Sequence, residues 1–361
     1  MIDQRTDSNY VHQNDKLDRV FTESSCVMVT LPRQDASWVT PSPLSRTRPT
    51  DKEHDRREPT PAPTVLARVE GHAILTDTTI PLSPVESERE RRLGEYLDHF
   101  QSVFQRTDQF ERFGLYLRGL LEPGDRKNVE AIATAAGEQV RGKSDLTQAL
   151  QHFISQSPWE AAKLMVAYRK ILSKRPADPE AVWVVHDGVF PKKGRHSVGV
   201  QRQFARSVGR KLNCQMAVVV GQVGPSGYYP LASRLYLPAY WLQEHQEIAE
   251  KMIPEEYRKP TSKYEIALSL IDELRAEQPR VPGIIAEEGY ATLPGFIDGL
   301  NDRRLGLLDG RAELVAEAHR LFDGLRLDLG LDHFEGRTWQ GWHHHVSLVF
   351  AAYGFLAFDG V

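Results

Sequence analysis

AVWVV at residues 181–185 begins the stretch that decides the fold. Three further strand-like runs follow it, namely SVGVQRQF (197–204), CQMAVVVGQV (214–223) and YYPLASRLYLP (228–238). Gly and Pro turns separate the runs, and the short connections predict an antiparallel three-stranded meander. A helix from Tyr264 to Leu274 and a short buried strand, VPGIIA (281–286), come next. Strands followed by helix, strand and helix are typical of an α/β or α+β domain with a mixed sheet flanked by helices.

Upstream of the strands, residues 89–178 are predicted to be helical. Apolar residues recur there at three- and four-residue spacing, as in Leu93, Tyr96, Leu97, Phe100, Val103 and Phe104. A short helix is expected between a cap at Asn128 and Gly137, and another is expected to start at Pro158. Several short helices in succession form either a DNA-reading helix-turn-helix or a plain bundle, and the spacing leaves both open.

Residues 1–88 are predicted to be a poorly ordered extension. Nine of the 22 prolines lie there, and apolar periodicity is weak. Such a segment buries too little apolar surface to offset its chain entropy.

Composition excludes several protein classes. The 361 residues carry 45 Lys plus Arg against 49 Asp plus Glu, a net charge of −4. No apolar run approaches the roughly 20 residues that span a bilayer, and the first residues do not resemble a secretory signal. The two cysteines, Cys26 and Cys214, exclude a disulfide framework and a Cys-based zinc cluster. A cytoplasmic protein without membrane contact is therefore expected.

The stretch from residue 191 to 213 is strongly cationic and contains no acid. Its seven cations are Lys192, Lys193, Arg195, Arg202, Arg206, Arg210 and Lys211. Such a local field favours phosphate backbones, so these residues and Arg337 are predicted to bind DNA. The alternative is a solvated surface whose counter-charges lie elsewhere in the fold.

Acidic residues follow the ends of predicted elements. Asp187 lies beside His186 at the end of AVWVV, Glu287 follows VPGIIA, and Glu335 lies in LGLDHFEGR. Converging carboxylates could hold a pair of Mg²⁺ ions, because these hard cations take oxygen ligands. Strand-end acids are also common for structural reasons. The segment Trp339 to His345 contains three consecutive histidines, which point in different directions on a helix and favour packing and phosphate contacts over a zinc site.

The C-terminal segment GLDHFEGRTWQGWHHHVSLVFAAYGFL (330–356) resembles the signature of bacterial insertion-sequence transposases, the DDE superfamily endonucleases. Further blocks match in the same order, including YLDHF, YLRGLLEPGDRKNVEAIA, FPKKGRHSVGVQRQF and IAEEGY. The resemblance implies an RNase H-like domain, residues 179–361, behind a helical DNA-binding region, residues 89–178. It also implies Mg²⁺ or Mn²⁺, and cutting and rejoining of DNA by phosphoryl transfer.

The catalytic acids of that family carry over incompletely. The first Asp position is occupied by His186, with Asp187 at the adjacent acidic position; the second is occupied by Glu287; Glu335 matches the third. The resemblance thus implies a catalytic set of His186, Asp187, Glu287 and Glu335, with Asp187, Glu287 and Glu335 as metal ligands. Because His removes an anionic ligand and Glu shifts a carboxylate by one methylene, impaired cleavage is expected.

A shortened core points the same way. Glu287 and Glu335 are 48 positions apart, whereas active relatives carry a longer, strand-rich stretch, of which RRLGLLDGR (303–311) is the expected remnant. These observations leave two alternative functions. The first is a transposase-like DNA-binding protein, whose expected partners are DNA and further copies of itself. The second is a transposase fold recruited by the host as an enzyme that acts on a small molecule. In the second, His186 would be a general base poised near neutral pH. DNA affinity separates them.

Overall fold

The computed structural model of the protein describes residues 84–137 and 146–359. Most of the predicted extension, residues 1–88, lies outside the described residues, which begin at residue 84. Within the described part, the helices that precede the first strand are α1 (Pro84–Asp98), α2 (Thr107–Leu121), α3 (Val129–Gly137), α4 (Leu146–Ser155) and α5 (Ala161–Leu172). The expected helical N-terminal region is therefore confirmed.

Local signals set the ends of these helices. The side-chain oxygen of Asn128 accepts a hydrogen bond from the Ala131 N–H at 2.9 Å, which confirms the predicted cap of α3. Helix α5 begins at Ala161 rather than at Pro158, because Glu160 is extended and Trp159 packs its ring against His344. The apolar stripe from Leu93 to Phe104 is buried as predicted, but it is divided between α1 and the 3-10 turn that follows.

The described strands form one mixed sheet. They are β1 (Val182–Pro191), β2 (Gln201–Ala205), β3 (Arg210–Gly224), β4 (Gly227–Tyr236) and β5 (Ile284–Ala286). Strand β3 pairs antiparallel with its chain neighbours β2 and β4, as the short connections predict, and also with β1, from which β2 separates it in the chain. Strand β5 lies parallel to β1 on its other edge. The predicted α/β class, a mixed sheet flanked by helices, is confirmed.

The remaining described helices cover the two faces of this sheet. They are α6 (Ala239–Glu244), α7 (Gln246–Met252), α8 (Lys263–Glu277), α9 (Glu288–Ala291), α10 (Pro294–Asp302), α11 (Ala312–Leu329) and α12 (Trp339–Asp359). One face shares a hydrophobic core with α11, α12 and the N-terminal helices. The opposite face packs against α8 and α10. The helical region therefore shares one core with the sheet.

A single bridge lies in the predicted remnant of the strand-rich stretch between Glu287 and Glu335. In the described part of the chain, this interval forms α9, α10 and α11. Leu307, within the predicted remnant RRLGLLDGR, makes an isolated parallel bridge with Ile284 of β5. The sheet therefore continues beyond β5 by one residue.

Of the three consecutive histidines of α12, His344 and His345 are buried and His343 is largely buried, and the three contact different parts of the fold. His343 contacts the Trp339 carbonyl at 2.9 Å, and His344 contacts the carbonyls of Ile154 and Trp159 at 2.9 and 2.8 Å. His345 contacts the Gly330 carbonyl and the Tyr116 hydroxyl, both at 3.0 Å. Successive helical residues point about 100° apart, so the three rings serve packing, as predicted.

Candidate functional site

Strand alternation separates His186 and Asp187. In the antiparallel pairing of β1 with β3, His186 lies opposite Val219 and Asp187 opposite Val218. Because successive side chains of a strand point to opposite faces, the two residues belong to different cores. His186 faces α11, where its ring meets Phe322 with 5.0 Å between centroids. Asp187 faces α8 and α9, so the predicted site residues do not act from one surface.

The Asp187 carboxylate is fully engaged. Asp187 is only 4% exposed. The Tyr290 hydroxyl donates to Oδ1 at 2.6 Å, and the Lys263 ammonium donates to Oδ2 at 2.5 Å. Burial, together with the Asp187 charge, raises the pKa of Tyr290 well above its usual value, so the phenol stays a donor. Both oxygens of Asp187 thus stabilise the packing of α8 and α9 on the sheet.

His186 is also enclosed. Its Nε2 lies 2.9 Å from the Tyr228 hydroxyl, and its Nδ1 lies 3.2 Å from the Asp187 carbonyl oxygen. Burial, together with the neighbouring His319, lowers the pKa of His186 to about 3. The ring is therefore neutral at pH 7. This corrects the prediction of a general base poised near neutral pH, because complete burial disfavours the imidazolium form.

Glu287 follows the carboxyl end of β5 and contacts the backbone of β1 at Asp187. Its Oε2 accepts a hydrogen bond from the Asp187 backbone N–H at 3.0 Å and lies 3.7 Å from Nε2 of His319. Burial by itself raises the pKa of Glu287, but the contacts from His319 and the Asp187 N–H outweigh it and leave the pKa below its usual value. The carboxylate is therefore charged at neutral pH.

His186, Glu287 and His319 together form what we term the histidine centre. The rings of His186 and His319 are 4.8 Å apart between centroids. Glu287 and His319 also line a cleft of about 870 Å³ between the end of β2, the end of β5 and α11. Other residues lining this cleft include Phe204, Arg206, Glu288 and Arg311. A buried carboxylate beside two imidazoles thus opens to solvent through one wide cleft.

His319 was not predicted from the sequence. It lies on α11 with Val315, Phe322 and Arg326 at positions four before, three after and seven after it, which is one face of a helix. A histidine in register with the apolar stripe of a helix that must cover the sheet is the signal that could have identified it.

Glu335 lies in a separate environment. Its Oε1 accepts hydrogen bonds from the Arg126 guanidinium and the Asn128 amide, both at 3.1 Å, and its side chain is 66% exposed. The loop before α12 carries it toward the N-terminal helices. Glu335 therefore contacts none of the three residues of the histidine centre.

The residues present do not fit the metal ions that the resemblance implies. Two Mg²⁺ ions need several converging carboxylate oxygens. Asp187 is bonded to Lys263 and Tyr290, Glu335 is bonded to Arg126, and Glu287 faces two histidines. Among the described residues, no group of three or more His, Cys, Asp or Glu side chains could hold a metal ion. The ligand set Asp187, Glu287 and Glu335 stays a prediction: in this structure the Asp187 carboxylate points to the face of β1 opposite the histidine centre, and Glu335 lies on the loop before α12.

The cationic stretch forms the β2–β3 hairpin and the loop that leads into it. Lys193, Arg195, Arg202, Arg206, Arg210 and Lys211 are exposed, and so is Arg337. Arg206 lies 3.7 Å from Glu288, whereas the six others have no carboxylate within 4.0 Å in the described part of the chain. This surface, termed the cationic hairpin, borders the cleft through Arg206.

Lys192 differs from the rest of the stretch. Its ammonium donates to the Phe334 carbonyl oxygen at 2.6 Å and lies 5.9 Å from the centre of the Phe334 ring. Burial lowers the pKa of Lys192, against the opposing effect of Asp332 and Glu335. This lysine stabilises the loop before α12 and is not open to solvent like its neighbours.

Replacing Asp187 by Ala is expected to lower the free energy of unfolding by about 2–3 kcal/mol, because Lys263 and Tyr290 lose their buried partner. Urea unfolding measures the change. The matched control is D272A, which removes the half-exposed ion pair with Arg303 and should cost less than about 1 kcal/mol. Equal losses in the two variants would show that Asp187 has no special structural role.

No described helix of the chain combines the length and the apolar character needed to cross a bilayer.

The chain is similar to known proteins over most of its described length. The model of a family described as DDE superfamily endonuclease matches residues 99–314. A probable transposase for insertion sequence element IS701 from Microchaete diplosiphon is 26% identical over 217 residues, which is 60% of this chain and 52% of the relative. The match thus spans about half the length of that curated relative.

Proposed function

Since this chain belongs to the DDE superfamily endonuclease family, we propose that it is a transposase-like DNA-binding protein in which strand cleavage is impaired. The observation that carries the proposal is the histidine centre beside the cationic hairpin. DNA held on the hairpin would lie over a cleft lined by Glu287 and His319, with the fully buried His186 ring 4.8 Å from that of His319. Phosphoryl transfer on two metal ions needs more anionic oxygen ligands than this set provides.

The cationic hairpin supports the DNA-binding half of the proposal. Its unpaired cations are close in sequence and exposed, so each phosphate contact would release counterions and strengthen binding. Backbone contacts of this kind carry little sequence information and suit a non-specific or shape-dependent mode.

The helical region, residues 89–178, is the second DNA-contacting surface in this proposal. Lys163 and Lys170 lie seven positions apart on α5, hence on one face of the helix, and Lys174 lies in the turn that follows it. They line a groove of about 410 Å³ together with His99. A cationic groove on a helical region is compatible with the docking of a phosphate backbone.

The variant K193A/R195A/R202A is expected to bind DNA about 100-fold more weakly at roughly 0.1 M salt, with a salt dependence flatter by about 0.9 per lost contact. Fluorescence anisotropy with a labelled duplex over a salt series measures both quantities. The control K251A/K259A/R280A removes the same charge from exposed positions elsewhere and should change affinity far less. If the two triple variants bind equally well, the hairpin is not the DNA surface.

Cleavage is tested on the same DNA. With Mg²⁺ or Mn²⁺ present, the protein is expected to leave supercoiled plasmid and linear duplex intact while it binds them. Metal-dependent nicking by the unaltered protein, lost in E287Q, would contradict impaired catalysis.

The recruited-enzyme alternative is favoured by one observation, the volume of the cleft. About 870 Å³ lies within the range of small-molecule sites. Glu287 and His319 would then carry its chemistry, since Asp187 and Glu335 lie elsewhere. Absence of DNA affinity in the salt series would favour this alternative. A cytoplasmic location and a homo-oligomeric assembly stay predictions.

A further inference from the structure

The cationic hairpin carries an exposed aromatic ring among its charges. Phe204 is 52% exposed. It lies directly opposite Lys211 in the antiparallel pairing, so the two side chains leave the hairpin on the same face. Arg202, two residues earlier on β2, shares that face. Phe204 also lines the cleft with Glu287 and His319. The ring therefore stands between the cations and the histidine centre.

Exposure of this ring has no structural explanation within the described chain. An uncovered phenylalanine forgoes the favourable burial that its apolar surface would gain elsewhere. Of the large aromatic side chains that the structure describes, only Phe204 and Tyr240 are this exposed. Tyr240 has a polar partner, because its hydroxyl donates to Glu244. Phe204 has no polar atom, so its ring is open to a flat apolar surface.

The hairpin holds the ring in a defined position. The turn after β2 is a 3-10 turn closed by Gly209, whose φ of 69° lies in the left-handed region that glycine adopts without strain. The Gly209 N–H donates to the carbonyls of Ala205 at 2.9 Å and Arg206 at 3.0 Å. A fixed turn directly after Phe204 reduces the entropy that its ring would lose on binding.

We propose that Phe204 stacks on an unpaired base of a DNA strand whose phosphates are held by Arg202 and Lys211. This rests on the proposed DNA-binding function and names the form of DNA that the hairpin prefers. In a duplex, the faces of the bases are covered by their neighbours, whereas a single strand or a frayed end presents them freely. Aromatic rings flanked by cations are how proteins bind such strands with little sequence preference.

The test compares three DNA forms of one mixed sequence: a single strand, a blunt duplex, and the duplex with a single-stranded tail. Anisotropy measures the affinity of the unaltered protein and of F204A, F204W and V208A for each form. Val208 is a suitable control because it is an exposed apolar residue of the same turn without a ring. A 2-aminopurine placed in the tail reports stacking directly through quenching of its fluorescence.

F204A is expected to lose about tenfold in affinity for the single strand and the tailed duplex, and little for the blunt duplex. F204W and V208A should keep the higher affinity for the single strand and the tailed duplex. The unaltered protein, F204W and V208A should all quench 2-aminopurine, whereas F204A should not. Equal loss on all three DNA forms, or unchanged quenching in F204A, overturns the stacking inference while the DNA-binding function stands. No affinity of the unaltered protein for any of the three forms overturns the proposed function itself.

Discussion

The double variant H186D/H319E is expected to bind Mn²⁺, with a rise in melting temperature that the unaltered protein does not show. The substitutions place two carboxylates beside Glu287. In the unaltered protein the ring centroids of His186 and His319 are 4.8 Å apart, and Nε2 of His319 lies 3.7 Å from Oε2 of Glu287. Three converging carboxylates are the ligands that hard divalent cations prefer. At a Mn²⁺ concentration about 100-fold above the dissociation constant, binding adds about 2.7 kcal/mol to the stability of the variant.

Without metal, the same variant is expected to melt below the unaltered protein, since it buries like charges without a partner. The control H186N/H319Q has nearly the same shape without the charges and should not respond to Mn²⁺. A thermal shift for the unaltered protein equal to that of the variant would show that the histidine centre already binds the metal. A folded H186D/H319E that ignores Mn²⁺ would contradict the geometry described for the centre.

Stability is expected to fall steeply as the pH is lowered from about 6.5 toward 4. The pKa values of His186 and His343 are lowered to about 3, and those of His344 and His345 to about 4, in each case mainly by burial. In the unfolded chain, histidine titrates near 6.5, so below that pH the unfolded state binds more protons. Each histidine then lowers the free energy of unfolding by about 1.4 kcal/mol per pH unit.

The check is the proton uptake on unfolding, obtained from unfolding free energies between pH 7 and pH 5. Near pH 5 the four buried histidines should account for an uptake of about four protons, because their folded-state pKa values lie below that pH. H196N, which removes an exposed histidine of the hairpin loop, is the control for the loss of one imidazole. An uptake near zero would mean that these rings are already charged in the folded protein.

Local signals allowed much of the fold to be predicted. VPGIIA reads as a short buried strand between turn residues, and β5 is there. The cap at Asn128 and the antiparallel pairing of β3 with its chain neighbours β2 and β4 likewise follow from nearby residues and short connections. Each of these features depends on interactions within a few residues, or on a tight turn that leaves few alternatives.

The candidate site was harder to predict, because it depends on which face of each element meets which neighbour. His186 and Asp187 were both expected in the site as neighbours in sequence, but only the packing of α11 decides that His186 faces the cleft side. Glu335 was placed by its resemblance to a family pattern, whereas its position depends on the loop that leads into α12. The sequence signal of His319 is its place on the apolar face of α11, but its role arises from the approach of α11 to β5.

The alternation along β1 limits how this protein could change. An acid already lies next to His186 in sequence, yet it points into the opposite core and is held there by Lys263 and Tyr290. Glu287, 100 positions away, is the acid that reaches the centre instead. A shift of β1 by a single residue could not bring the Asp187 carboxylate into the centre without cost, because it would move every side chain of the strand to the opposite face of the sheet. Within β1, substitution at position 186 itself is the way to place an anion on that side.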